Sequence, residues 1–179
     1  SYRKNIIKNC INLIKLYISK NKELENNDLL IIYYLDQNLS SSDLESACSI
    51  FDEVKNYSNE YISKFKIYCL YNENKKNEAQ LLFDLKKELG FNDESFENKF
   101  NLLMGLSSKN DKEVSEKNIL EFHISHRLDK NFSYVPNENT PNIIWKYLSA
   151  SNLLEKTSTV DLENIEKIKL IEKATHQQN

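Results

Sequence analysis

The chain has 179 residues, 28% of them charged and 40% hydrophobic, with a net charge of −3 at pH 7. That balance is globular and not disordered, and it suits one ordinary domain or two small ones. Only Arg3 and Arg127 are arginines among 24 cationic residues, so the clustered bidentate cations of a nucleic-acid reader are missing.

Two glycines and two prolines are present, where a chain this long ordinarily carries about a dozen and about nine. Tight turns and phosphate-cradling loops need glycine for its access to positive φ. Their scarcity predicts helices joined by plain polar loops. Asn, Lys, Ile and Tyr are abundant and share A/T-rich codons, so codon usage accounts for part of the bias. The longest apolar run, 29–35, falls far short of the ~20 residues of a membrane helix, and no membrane span is expected. The chain begins at Ser1 directly in helical periodicity, the pattern of a processed protein or of a piece of a longer one.

Ile6, Ile7, Cys10, Ile11, Ile14, Tyr17 and Ile18 form an apolar stripe that predicts a helix over 3–21. Asn27 or Asp28 caps a second helix over 29–36. Ser42, Asp43, Leu44 and Glu45 read as a capping box, opening a helix over 44–56 that buries Leu44, Ala47, Cys48, Phe51 and Val54. Ser58 caps the next, over 60–72, with Tyr61, Ile62, Phe65, Tyr68, Cys69 and Leu70. A fifth helix starts near Asn77 and buries Ala79, Leu82, Phe83, Leu85 and Leu89. Gly90 followed by Phe91 is the pattern of a left-handed C-cap. Asn92 or Asp93 then opens a helix carrying Phe96, Phe100, Leu103 and Met104, which Gly105 stops.

The polar stretch 105–115 is a soft boundary between a helical-repeat domain at 1–104 and further helical pairs at 115–179 that would continue the same superhelix. Ser115 opens a helix with Ile119, Leu120, Phe122, His123, Ile124 and Leu128. An irregular stretch holds Pro136, and Thr140-Pro141 opens another helix, with Ile143, Ile144, Tyr147 and Leu148 inside and Trp145 on an adjacent face. Leu162, Ile165, Ile168 and Ile171 mark a last amphipathic segment from about Asp161.

Helix starts near 42, 59, 77 and 93 recur about every 17 residues, a helix-pair period near 34. Within that spacing the segment 61–91 resembles a tetratricopeptide repeat: Asn74 sits at the turn, and Ala79 and Phe83 take the small and large positions of the second helix. Ser63 and Lys66 stand where that repeat has apolar residues. The resemblance implies an all-α solenoid of about eight or nine helices in antiparallel pairs, binding protein or peptide on one face.

His123 and His126 lie three residues apart with Glu121 and Asp129 nearby, the start of a metal site on one helix face. No second group of His or Cys has the spacing to complete it, so His123 is expected to pack in the apolar face with a hydrogen bond. No cysteine has the flanking glycine or donor-rich loop of a nucleophile, and Cys10, Cys48 and Cys69 read as small core hydrophobes. If 44–56 and 60–72 pair as a hairpin, Cys48 and Cys69 face each other at disulfide range. That bond would imply an exported or periplasmic setting; without it, a cytoplasmic one. Tyr33, Tyr34, Tyr57, Tyr61, Tyr68 and Tyr71 crowd the first half, where tyrosine suits a partner-binding face.

These readings converge on a non-catalytic scaffold, without cofactor, metal or catalytic residues, that binds another protein or the remainder of its own chain. The alternative is the superhelical accessory part of a larger enzyme, such as an exported cell-wall hydrolase.

Overall fold

A computed structural model describes residues 2–21, 27–108 and 113–154. The described residues are all-α: α1 (Tyr2–Lys20), α2 (Asp28–Ser40), α3 (Leu44–Cys48), α4 (Ile50–Glu53), α5 (Glu60–Asn72), α6 (Lys76–Glu88), α7 (Glu94–Met104), α8 (Ile119–Leu128) and α9 (Asn142–Ala150). The segment expected from about Asp161 lies outside the described residues. The chain divides into two compact units: Ser1–Leu39 with Asp43–Asp111, and Ser40–Ser42 with Lys112–Asn179.

In the first unit α5 is the central element. Ile62, Phe65, Ile67 and Tyr68 have no exposed surface, so this helix is apolar nearly all round, as a core helix must be. It forms a hairpin with α6 and packs against α3. Phe83 of α6 meets Phe91, Phe96 and Phe100 with ring centroids 5.9, 5.7 and 5.0 Å away. Buried aromatic contacts of this kind add about 0.5–1.5 kcal/mol each beyond the area they remove from water. Lys64 reaches from α5 to Asp93, forming an ion pair with both side chains buried.

Several helix starts differ from the expected ones. The cap of α3 is Asp43, which accepts from Ser46 N–H at 3.0 Å; Ser42 precedes it at φ 59°, outside any capping geometry. Asn59, not Ser58, caps α5 through Tyr61 N–H. Ser58 is occupied elsewhere, since Asp28 Oδ2 accepts from the N–H groups of Ser58 and Asn59 and from the Ser58 hydroxyl. Asn118, not Ser115, caps α8. Thr140 makes no cap on α9, whose N-cap is Pro141; the Thr140 hydroxyl accepts from Asn137 N–H instead. Asp93 caps α7, as one of the two expected residues.

The helix expected over 44–56 is interrupted at Ser49, between α3 and α4. The Ser46 carbonyl accepts from the Tyr34 hydroxyl at 3.0 Å and the Ser49 hydroxyl at 2.7 Å. Side-chain donors intruding on the ladder in this way break or bend a helix.

Five helix ends share one closure. Phe91, Leu106, Lys75, Leu153 and Asp43 each donate their N–H to the carbonyl five residues back. The preceding residue is left-handed in every case: Gly90, Gly105, Asn74, Asn152 and Ser42, at φ 95°, 73°, 62°, 55° and 59°. Both glycines are thus spent on stopping helices. The same geometry is imposed on two asparagines and a serine.

Candidate functional site

The α5–α6 hairpin offers the most distinctive surface. On α6, Ala79 and Phe83 have no exposure and hold the helix against the core. Leu81, Leu85 and Leu89 recur every fourth residue and so share one side of the helix, away from Ala79 and Phe83. They stand 71%, 49% and 72% exposed. The expected burial of Leu85 and Leu89 is therefore corrected: α6 is apolar on two sides, and the core reaches only one. Glu78 and Glu88 are exposed on the arc that holds the leucines. The four-residue spacing was the sequence signal for this stripe.

The hairpin is held from behind. Cys48 and Cys69 are joined in a disulfide, with Cα atoms 5.6 Å apart, pinning the end of α3 to the third turn of α5. On the far side Gly90 turns the chain so that Phe91 folds back onto Phe83, and the Lys64 ammonium lies 5.4 Å from the Phe91 ring centre. Cys10 departs from the expectation of a core cysteine, being free and exposed on α1.

The six tyrosines do not make one surface. Tyr68 has no exposure and Tyr34 has 3%, with the Tyr34 hydroxyl bound to Ser46 inside the fold. Tyr61 is half-buried and donates to Asp36 Oδ1 at 2.6 Å. Tyr71 is half-buried and stacks on Tyr68, and Tyr57 is half-buried edge-on to Phe51. Tyr33 is exposed. An amphipathic ring at helical spacing satisfies a core as well as a surface, so residue type alone did not separate them.

In the second unit polar groups gather between α8 and α9. The buried Tyr147 hydroxyl lies 2.8 Å from His123 Nδ1 and 2.7 Å from His126 Nδ1. A hydroxyl carries one proton, so it donates to one ring and accepts from the other. Burial first, then the charges of His126 and Arg127, hold His123 down at about 3, a neutral imidazole at ordinary pH. The histidine pair thus makes a hydrogen-bonded packing contact, and no group of three His, Cys, Asp or Glu among the described residues converges to hold a metal ion.

Beside this pair, the Ser115 hydroxyl donates to Glu121 Oε2 at 2.7 Å and Ser115 N–H donates to Ser125 Oγ at 3.2 Å. Glu121 has no exposed surface, and its Oε1 has no hydrogen-bond partner among the described residues. The Tyr134 hydroxyl donates to Glu116 and meets Thr140 Oγ1 at 2.9 Å. Burial and the Glu116 contact push Tyr134 up to about 12. Trp145, expected beside the apolar face, is in the core at 3% exposure.

No family model, curated protein or solved structure matches the chain.

Proposed function

We propose that the chain is a helical-repeat interaction module of α-solenoid type that binds another protein, or the remainder of its own chain, and does no chemistry itself. The observation that carries this reading is the Leu81, Leu85 and Leu89 stripe, an exposed apolar helix side on a hairpin whose other side is locked into the core. In a solenoid each helix pair buries such a side by stacking on the next element. A row of leucines four residues apart, with Glu78 and Glu88 alongside, suits an apolar helix face with a cationic rim. Asn74 at the α5–α6 turn and fully buried Ala79 and Phe83 support the tetratricopeptide-like reading of 61–91. The Cys48–Cys69 bond supports an oxidising compartment as the working site.

The test is cross-linking of the intact protein in extract of its own source, beside a Leu81→Glu/Leu85→Glu variant. Both leucines are exposed, so the variant should melt like the parent. The expected result is a discrete cross-linked partner that disappears in the variant. No partner at all, together with a small molecule that raises the melting temperature, would replace the scaffold reading with an enzymatic one.

A further inference from the structure

α1 contains Arg3, Lys4, Lys8, Lys15 and Lys20 and no Asp or Glu, in a chain whose net charge is −3. The rest of the chain is therefore more acidic than the whole. Lys15 is engaged inside the unit, donating to Ser49 Oγ at 3.0 Å, whereas Lys8 and Lys20 stand exposed. The helix is also apolar on two sides. Ile11 and Ile18 are buried on the side turned toward the core.

At about 100° per residue, Tyr2, Ile6, Leu13, Leu16 and Tyr17 fall together on the opposite arc. All five are exposed, Tyr2 by 77% and Leu13 by 64%. The expected single stripe of Ile6, Ile7, Cys10, Ile11, Ile14, Tyr17 and Ile18 is thus split, with Ile6, Ile7, Cys10 and Tyr17 exposed. A shallow apolar groove of about 410 Å³ continues this side between Leu13, Ile14, Tyr17 and Leu30 of α2.

We propose that the outer side of α1 docks on an anionic lipid surface, the helix lying in the plane of the interface. Its apolar arc would sit at the boundary of headgroups and acyl chains, and Lys20 on that arc and Arg3 at its edge would reach the lipid phosphates. Charge selects this occupant. A second copy would bring two cationic helices together without a compensating carboxylate on either. An anionic bilayer meets both the charge and the apolar arc over about four helical turns. The leucine side of α6 is flanked by glutamates and has the opposite preference, so the two surfaces would not compete.

Cys10 provides the probe, because it is the free thiol on this arc while Cys48 and Cys69 are bonded to each other. The full chain is labelled at Cys10 with a polarity-sensitive fluorophore under non-reducing conditions. It is then titrated with phosphatidylcholine vesicles with and without phosphatidylglycerol. The expected result is a blue shift and co-sedimentation with the anionic vesicles, at least about tenfold weaker on phosphatidylcholine alone and weakened by salt.

Leu13→Glu/Tyr17→Glu should abolish both signals. Arg3→Glu/Lys20→Glu, which removes no buried residue, should remove the preference for anionic lipid and decides the matter if the first variant unfolds. Absence of shift and sedimentation with anionic vesicles overturns the proposal. So does a shift that follows protein concentration without lipid, which identifies a second copy, or one that appears only with a protein partner.

Discussion

The Tyr61 hydroxyl donates a 2.6 Å hydrogen bond to Asp36 Oδ1, tying α5 to α2. Burial pushes the Asp36 carboxyl from 3.8 up to about 6, and the Tyr61 bond offsets only part of that rise. The folded protein therefore holds this proton to a higher pH than the unfolded chain does. Between about pH 4 and 6 the native state binds more protons, so stability falls as pH rises through that window.

Asp36→Asn keeps an acceptor for Tyr61 and has no charge to bury. It should stabilise the protein by about 2–3 kcal/mol above pH 6 and by much less at pH 4. Urea denaturation followed by circular dichroism at both pH values measures the difference. An equal gain at both would mean that the carboxyl is not held protonated.

His123 gives the opposite slope in the second unit. Its folded value of about 3 lies below the ordinary histidine value of 6.5, so the unfolded chain binds more protons between those values. Stability then falls as pH drops below about 6.5, by up to about 1.4 kcal/mol per pH unit. Trp145 is the only tryptophan in the sequence and lies in this unit, so its fluorescence reports this unfolding. His123→Gln should flatten the acid limb of the tryptophan melt. Tyr147→Phe, which removes the hydroxyl from both imidazoles, should cost about 1–3 kcal/mol at pH 7. A His123→Gln variant with the parent's slope would show that His123 does not titrate as placed.

The helices themselves were legible because apolar spacing and capping residues act over four or five neighbours. Gly90 and Gly105 read correctly as helix stops for the same reason. What local pattern does not contain is which apolar side is covered. α1 and α6 are each apolar on two sides, and only packing decides that Ile11 and Phe83 go inward while Leu13 and Leu85 stay out. Capping failed where a distant group claimed the residue, as when Asp28 took the Ser58 donors across thirty residues of sequence. Tyr34 and Tyr68 lie in the core because a tyrosine ring buries as well as that of phenylalanine, and the Tyr34 hydroxyl finds the Ser46 carbonyl there.

The Cys48–Cys69 disulfide closes a loop of sequence separation 21. In the chain-entropy account a loop that long stabilises the fold by about 3 kcal/mol, by restricting the unfolded state. Cys48→Ala/Cys69→Ala should lower stability by that order, and a reductant should do the same to the parent while leaving the double variant unchanged. Intact mass with and without reductant, after thiol alkylation, shows the bond directly. Two free thiols at these positions in the unreduced protein would remove the pin behind the α5–α6 hairpin.

Asn74 carries the turn of that hairpin at φ 62°, with its N–H and that of Lys75 closing the end of α5 onto Tyr71 and Leu70. A left-handed residue with a Cβ is strained by roughly 1–2 kcal/mol, less for asparagine, whose side chain bonds locally. Glycine has no such strain, though it gives the unfolded chain more freedom to lose. Asn74→Gly should therefore be stabilising by a few tenths of a kcal/mol to about 1 kcal/mol, and Asn74→Ala destabilising by about 1 kcal/mol. Asn152→Gly should behave alike at the end of α9, read by Trp145 fluorescence. If Asn74→Ala melted with or above the parent, the left-handed assignment at this turn would be wrong. The scarcity of glycine would then reflect a chain that needs fewer left-handed stops than the five seen in its helix ends.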